Sequence, residues 1–434
     1  MMQSTAQSPL RSPVNRVTQV LRSLNVNPAR LFGSVAGRSG LCYTSANGGV
    51  SWDDLIAQNE AALAAGRPQD CQLFSDSAGT VPVLSPIGEG QGLGLLLDRS
   101  QGLTPGPELV TNGDFSSGTT GWAAIGSATI SALSDAASVN VTGSSGGIVS
   151  SGQSFGFVAG NMYQASFDID ISGMTPGGVE FRVGLVGVLG LTTSGTKKVS
   201  FLPTTSNSTI SFQRASGSTG TFTIDNISVR ELPGNHLQQP TAVARGEFQT
   251  ASGAAYLRRQ TDDWAKAALS PEGATKAVLI FPVKKIDNTA AQVLCEYGPD
   301  ANTTDGTFSL ESPVTGGANE VVLRVRGASA GTTITGALSA SVPAVIRAEI
   351  DLANQRQELW INGVSQGVST TTIGATSFAS REFFVGCRNG SSRFGAFDSS
   401  APPMLIFLQP GDSLTDSQIR QIEKRFAKAL GVTL

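Results

Sequence analysis

Glu349 and Asp351 are the carboxylates with the most suggestive spacing. They fall in a run where Ile346, Ala348, Ile350 and Leu352 alternate with Arg347, Glu349 and Asp351. On a strand, that alternation aims both carboxylates to one side. Two carboxylates flanking one glycosidic bond are what acid–nucleophile hydrolysis needs. The next position in phase is Ala353, so the series stops short, and the pair reads as the solvent face of a half-buried strand. His236 is the only histidine, and any Ser-His-Asp or Cys-His chemistry would have to use it. It has no glycine-rich nucleophile turn nearby, and the chain has no Walker loop and no HExxH pair. No catalytic residue is nominated, and no cofactor or metal is expected.

Glycan binding without catalysis asks for less: a groove, aromatic platforms for the sugar face and a few polar groups. Tyr163, Ala165, Phe167, Ile169 and Ile171 point one way, and Gln164, Ser166, Asp168, Asp170 and Ser172 the other. Gln164 and Asp168, on the polar side, are the candidate carbohydrate-binding residues. No aromatic shares that face, and aromatics are only 6% of the chain. Trp122 reads as core, and Trp264 and Trp360 as packing or rim residues.

These segments must be held by a frame rich in turns. The chain has 434 residues, 51 of them glycine, and only 15% are charged. That composition favours β-sandwiches over helical bundles, with two or three domains. Residues 1–38 carry five arginines and no acid, and since the whole chain is at −3 the remainder is at −8. A basic arm on an acidic body suggests docking to something acidic, with Arg11, Arg16, Arg22 and Arg30 as the candidate anchoring residues. No nucleic-acid partner and no membrane insertion are expected. The longest apolar run, Val183–Leu191, is short and broken by glycines. The polar start reads as no signal peptide, so release by lysis or assembly is expected. Cys42, Cys71, Cys295 and Cys387 form no CxxC pair and read as reduced, buried residues.

In chain order, Val14, Val17, Leu21 and Leu24 predict a short helix in the arm, stopped by Asn27-Pro28. Trp52–Ala65 predicts a second helix, with Ser51 as N-cap and Gly66 at its end. Two short strands follow within Leu73–Ser100. Stripes at Val179, Phe181, Val183 and Leu185, then at Val199, Phe201, Ile210 and Phe212, continue the strand pattern. The phase breaks at Asp225-Asn226, which predicts a bulge. Asn362-Gly363 predicts a hairpin. The C-terminal segment has Thr415 and Gln418 as a capping box, Ile419, Ile422, Phe426 and Leu430 as an apolar face, and Gly431 as cap.

Several stretches resemble known families. Glu108–Trp122 (ELVTNGDFSSGTTGW) and Thr221–Leu232 (TFTIDNISVREL) resemble the first and last strands of a carbohydrate-binding-module-like jelly roll, met chiefly in tailed-phage virion proteins. Asp76, Ser77, Ala78, Gly79, Pro82 and Val83, then Gly94, Leu95, Leu97, Asp98 and Ser100, resemble a segment of phage structural proteins, with Arg99 where lysine is usual. In those proteins this segment runs straight into a GNH stretch. Here that stretch is Gly234-Asn235-His236, followed by Gln239 and Arg245, so residues between are an insertion. Gly234–Leu434, with its ELWING hairpin and FFVG strand, resembles a laminin-G/concanavalin-like sandwich.

The fold class that follows is all-β: two β-sandwich (jelly-roll) domains, the first inserted in a loop of the second, with an N-terminal arm and a C-terminal helix. The expected divisions are an anchoring arm at 1–39, the first part of the discontinuous domain at 40–106, the jelly roll at 107–232 and the concanavalin-like sandwich at 233–434. The resemblance implies a non-catalytic phage virion protein, made in the host bacterial cytoplasm and placed on the particle exterior. It would be a tail, fibre or decoration protein or, alternatively, structural cement. It implies a homo-oligomer that meets other virion proteins through its arm and contacts a host surface glycan. By analogy, Asp114 or Asp225 would hold any calcium on the jelly roll. Retaining glucanases on the concanavalin fold carry E-x-D-x-E, whose third carboxylate Ala353 lacks.

Overall fold

The computed structural model describes residues 40–43, 49–88, 91–98, 105–133, 135–203, 209–260, 262–271 and 273–434. The basic arm, with Arg11, Arg16, Arg22 and Arg30 and its expected helix, lies outside the described residues. Among the described residues the chain is all-β apart from two α-helices and two 3-10 turns. The strands form three sheets: two nine-stranded and one eight-stranded. No described helix is long and apolar enough to cross a membrane.

The two nine-stranded sheets face each other in the larger sandwich. Lys276–Lys285 pairs with Pro343–Asp351 on one side and Met404–Leu408 on the other. Its continuous apolar run has a simple cause, since both faces are covered. Ala277, Leu279 and Phe281 enter the core between the sheets, while Val278 and Ile280 meet the C-terminal helix. The opposite sheet supplies Cys295, Phe308, Leu310 and Tyr297, whose ring lies 5.2 Å from that of Phe407.

Both helices carry the caps their sequences predict. Ser51 accepts from the Asp54 amide at the head of Trp52–Ala64, and Trp52 Nε1 donates to the Ser399 carbonyl at 2.8 Å. Thr415 and Gln418 close a capping box on Asp416–Leu430, which ends at Gly431 with φ of 69°. Ile419, Ile422 and Phe426 pack on Val278, Ile280 and Val345.

That docking corrects the reading of Glu349 as a solvent-facing residue. The C-terminal helix roofs one end of the outer face of Pro343–Asp351, and Arg347 is fully buried beneath it. Arg347 Nη1 lies 3.0 Å from Asp416 Oδ1, and its guanidinium sits 3.9 Å from the Trp360 ring centroid. Glu349 is 8% exposed and holds Lys276 Nζ at 3.0 Å. Asp351 stays half-buried and accepts from the Asn354 amide. The pair serves packing, with its oxygens already committed.

The eight-stranded sheet, built from strands between Trp122 and Leu232, folds over into the second sandwich. Ala136–Ser150 joins its layers: the first half pairs with Thr219–Leu232, the second with Ile210–Arg214. Phe167 of one layer meets Phe181 and Phe212 of the other at 5.4 and 4.7 Å. The bulge falls between Asp225 and Ser228, as the phase break predicts, with Asn226 at φ of 51°.

Two expectations change here. The opening stretch is a turn-rich buckle, and the first strand starts at Trp122. Asn112 and Phe115 have positive φ, and the Asn112 side chain ties the Gly118 and Thr120 carbonyls together. A run so rich in Asn, Asp, Gly and Ser satisfies its backbone locally. It still meets the closing strand: Glu108 forms an isolated bridge to Arg230, the Leu109 amide donates to the Val229 carbonyl, and the Gly113 carbonyl accepts from the Ile227 amide. Leu185 does not continue the core stripe; it is 91% exposed at the tip of the Val179–Val183/Val186–Leu191 hairpin.

The second sandwich interrupts the first at a narrow neck. Leu95–Leu96 pairs antiparallel with Leu237–Gln238, bringing the two ends of the insertion side by side. Asp98 Oδ2 accepts from the Asn235 amide at 3.0 Å, and the Tyr43 hydroxyl donates to the Asn235 carbonyl at 2.8 Å. Met162 and Leu232 of the insert pack on Phe74, Leu95 and Leu97 of the larger body. Ser200 N also donates across the seam to the Ala78 carbonyl at 2.6 Å.

Candidate ligand-binding groove

One row of directly opposed residues crosses the outer face of the sheet that starts at the neck. Gln238 stands opposite Lys266, Lys266 opposite Phe384, Phe384 opposite Glu296, Glu296 opposite Ser309 and Ser309 opposite Arg324. Their neighbours in sequence, among them Ala265, Phe383, Val385, Cys295, Tyr297, Phe308 and Leu310, point into the core. Strand alternation therefore turns a strip of polar and charged groups outward along the whole sheet.

The middle of the strip is sealed. Glu296 and Glu311 are fully buried, and Arg388 spans them, with Nε 3.2 Å from Glu296 Oε1 and Nη2 3.0 Å from Glu311 Oε1. Glu311 also holds Arg324 at 2.7 Å and Arg393 at 3.2 Å. Burial pushes the Glu311 carboxyl up, but Arg324, Arg388 and the Ser309 hydroxyl outweigh it and hold the group below the usual carboxylate range. Burial wins at Glu296, whose carboxyl is raised despite the Ala301 amide and Arg388. Among the described residues its Oε2 has no hydrogen-bond partner. Both carboxylates brace the Arg388–Arg393 turn.

Two depressions lie side by side next to the seal. One, of about 420 Å³, lies on the seam between the bodies. The insert gives it Gly160, Met162, Leu202 and Pro203; the larger body gives Gly234, His236, Gln238, Lys266, Ala268 and Glu382. The other, of about 480 Å³, is lined by Pro299, Ser380, Arg381, Glu382, Phe384, Asn389 and Ser391. Glu382 lines both and pairs with Lys266 Nζ at 2.6 Å, so the two depressions are halves of one groove. The half-buried Trp264 ring backs Phe384 at 6.1 Å. Gly390, with φ of 74°, runs over the pair so closely that a Cβ there would sit 3.3 Å from Trp264 Cη2.

His236 borders the seam with both ring nitrogens engaged. Nδ1 accepts from the Asp98 amide at 3.0 Å, so Nε2 carries the hydrogen and donates to the Leu232 carbonyl at 3.1 Å. It secures the neck.

Gln164 and Asp168 stand half-buried on one face of the insert, away from the groove lining. Gln164 is opposite Ser200 and Arg230, and the Asp168 carboxylate accepts from Thr196 and from Asn226 Nδ2 at 2.8 Å. Asp114 accepts from the Ser116 amide and hydroxyl, and Asp225 from the Asn226 amide. Among the described residues no three His, Cys, Asp or Glu side chains cluster to hold a metal ion. Sequence reasoning missed Lys266, Glu382 and Phe384. Their phase within AKAAL and REFFV is readable, but their meeting depends on pairing between strands more than a hundred positions apart.

No family model and no curated protein matches the chain. Among solved structures it is similar to the CBM40 of Ruminococcus gnavus IT-sialidase, at 18% identity and a TM-score of 0.27 over 35% of this chain and 84% of that one. It is similar to a heptameric SAP-like pentraxin from Limulus polyphemus, at 11% identity and a TM-score of 0.27 over 35% and 70%. A third is the receptor binding domain of botulinum neurotoxin mosaic serotype C/D, at 9% identity and a TM-score of 0.31 over 42% and 47%. Likenesses of this size carry no argument about function, and the groove stands on its own residues.

Proposed function

We propose that the protein is a non-catalytic structural protein on the exterior of a tailed-phage particle, and that it binds host-surface glycans through the groove. The observation that carries the glycan reading is the Lys266–Glu382 pair, set between a partly apolar seam and the Trp264–Phe384 rings. Such a strip offers donors, an acceptor and apolar surface side by side, which is what a sugar ring requires. The phage reading rests on the motif resemblance. It gains support from the way those motifs meet, since Asp98 binds Asn235 and Arg245 Nη1 donates to the Ser75 carbonyl. Repeated virion positions favour a homo-oligomer, whose copy number would multiply a weak contact.

A cement or spacer role is the second reading, favoured by Phe384 being only 4% exposed. A glycan array on the purified full chain separates the two. Specific binding supports host contact, and a blank array at high protein loading supports cement. Antibody labelling of intact particles tests the location: label on the outside supports the assignment, and a particle without the protein refutes it.

A further inference from the structure

The geometry points to the seam depression as a site for one uncharged pyranose ring, held between the two bodies so that its binding fixes the insert in place. This deepens the glycan reading and rests on it. The two walls differ in chemistry. Met162, Leu202 and Pro203 of the insert present hydrocarbon; Gln238, Lys266 and Glu382 of the larger body present hydrogen-bonding groups. A pyranose has the same division, with an apolar C–H face and a rim of hydroxyls.

The charge balance selects a neutral ligand. Among the described residues the lining holds one cation and one anion, 2.6 Å apart, which cancel each other. His236 adds no charge, because its Nδ1 accepts from a backbone amide. A carboxylate or an ammonium group on the ligand would therefore compete with the existing pair. A volume of about 420 Å³ falls within the range of small-molecule sites.

The fixing follows from linkage. Among the described residues the bodies meet at the neck, at the Ser200–Ala78 backbone hydrogen bond, where Ala78 packs on the insert's core, through the attraction of Lys198 to Asp70, and in a small apolar contact. A ring that stacks on one wall and hydrogen-bonds to the other loses contacts if the walls part. Its binding energy then favours the closed seam.

Hydrogen–deuterium exchange on the full chain tests this. The probes are the methyl glycosides of glucose, galactose, mannose and N-acetylglucosamine, beside those of glucuronic acid and glucosamine. At least one neutral glycoside should slow exchange both at the start of Met162–Thr175 and in Ala265–Leu269, with no protection from the charged pair. Leu202→Ser should weaken its binding about tenfold, while the insert's own core keeps its exchange pattern. Protection confined to residues 380–391 would overturn the seam site and leave the glycan reading standing. Protection by the charged glycosides alone would overturn the neutral class. If no glycoside protects any segment and an array of longer glycans is also blank, the seam site and the glycan reading both fall.

Discussion

Asp98 and His236 lie 138 positions apart and meet at 3.0 Å, the Asp98 amide donating to the imidazole Nδ1. Between them runs a complete second sandwich with its own core. The contact fixes where the chain leaves the larger body and where it returns. A buried backbone amide needs an acceptor, and here a side chain from the far end of the insertion supplies it.

Replacing this ring tests the neck. His236→Ala leaves the Asp98 amide and the Leu232 carbonyl without their side-chain partner, and should cost about 1–3 kcal/mol. Urea denaturation gives the loss. Exchange should quicken at Leu95–Leu96 and Leu237–Gln238 ahead of either core, and uniform loosening would argue against a clamp.

Arg347 gives a second test. It is fully buried, with Glu423, itself fully buried, 3.9 Å from its Nη1. Arg347→Ala strips that carboxylate of its nearest cation and should destabilise by about 3–5 kcal/mol. Adding Glu423→Gln should recover part of the loss, with a coupling of about 1–2 kcal/mol in a double-mutant cycle. Strict additivity would show that the two side chains do not act as a unit.

The Glu311 cluster predicts a pH dependence. Its carboxyl is held below the usual range in the folded chain, so its contribution is present above the unfolded-state pKa and is lost as pH falls through the folded value. Glu311→Gln should therefore cost about 3 kcal/mol near neutrality and progressively less in acid. Glu296, raised by burial, runs the other way: its contribution is present at low pH and is lost as pH rises through its folded pKa. Stability curves of Glu311→Gln and Glu296→Gln against pH check the signs, and a gap at Glu311 that widens in acid would contradict the assignment.

The anchoring role proposed for the arm makes a prediction about phage particles. A chain beginning at Gly40 should keep both cores, whose described residues all lie beyond it. It should fail to join particles, and so should a chain with Arg11, Arg16, Arg22 and Arg30 all changed to Ser. Normal incorporation of either, measured by mass spectrometry of purified particles, would remove the anchoring role.

What could be read in advance followed the range of the interactions. The caps at Ser51 and Thr415, the Asn362-Gly363 hairpin and the break at Asp225 involve neighbours in sequence, and each appears where its residues predict. Leu185 misleads because alternation runs on past the turn that carries it out of the core. Glu349 misleads because the roof over its strand comes from a helix sixty-odd positions on, and helical amphipathicity tells that a face is buried but not against what. The groove was out of reach for the same reason. Lys266 and Glu382 look like ordinary surface charges until the sheet order sets them side by side.

The groove itself is tested most directly by titration calorimetry with the best array ligand on two variants of the full chain. Lys266→Ala with Glu382→Ala should abolish measurable binding, while Gln164→Ala with Asp168→Ala should leave it within about twofold of the parent, a difference of less than 1 kcal/mol. Binding that survives the first pair and vanishes with the second would move the sugar onto the inserted jelly roll and contradict the account.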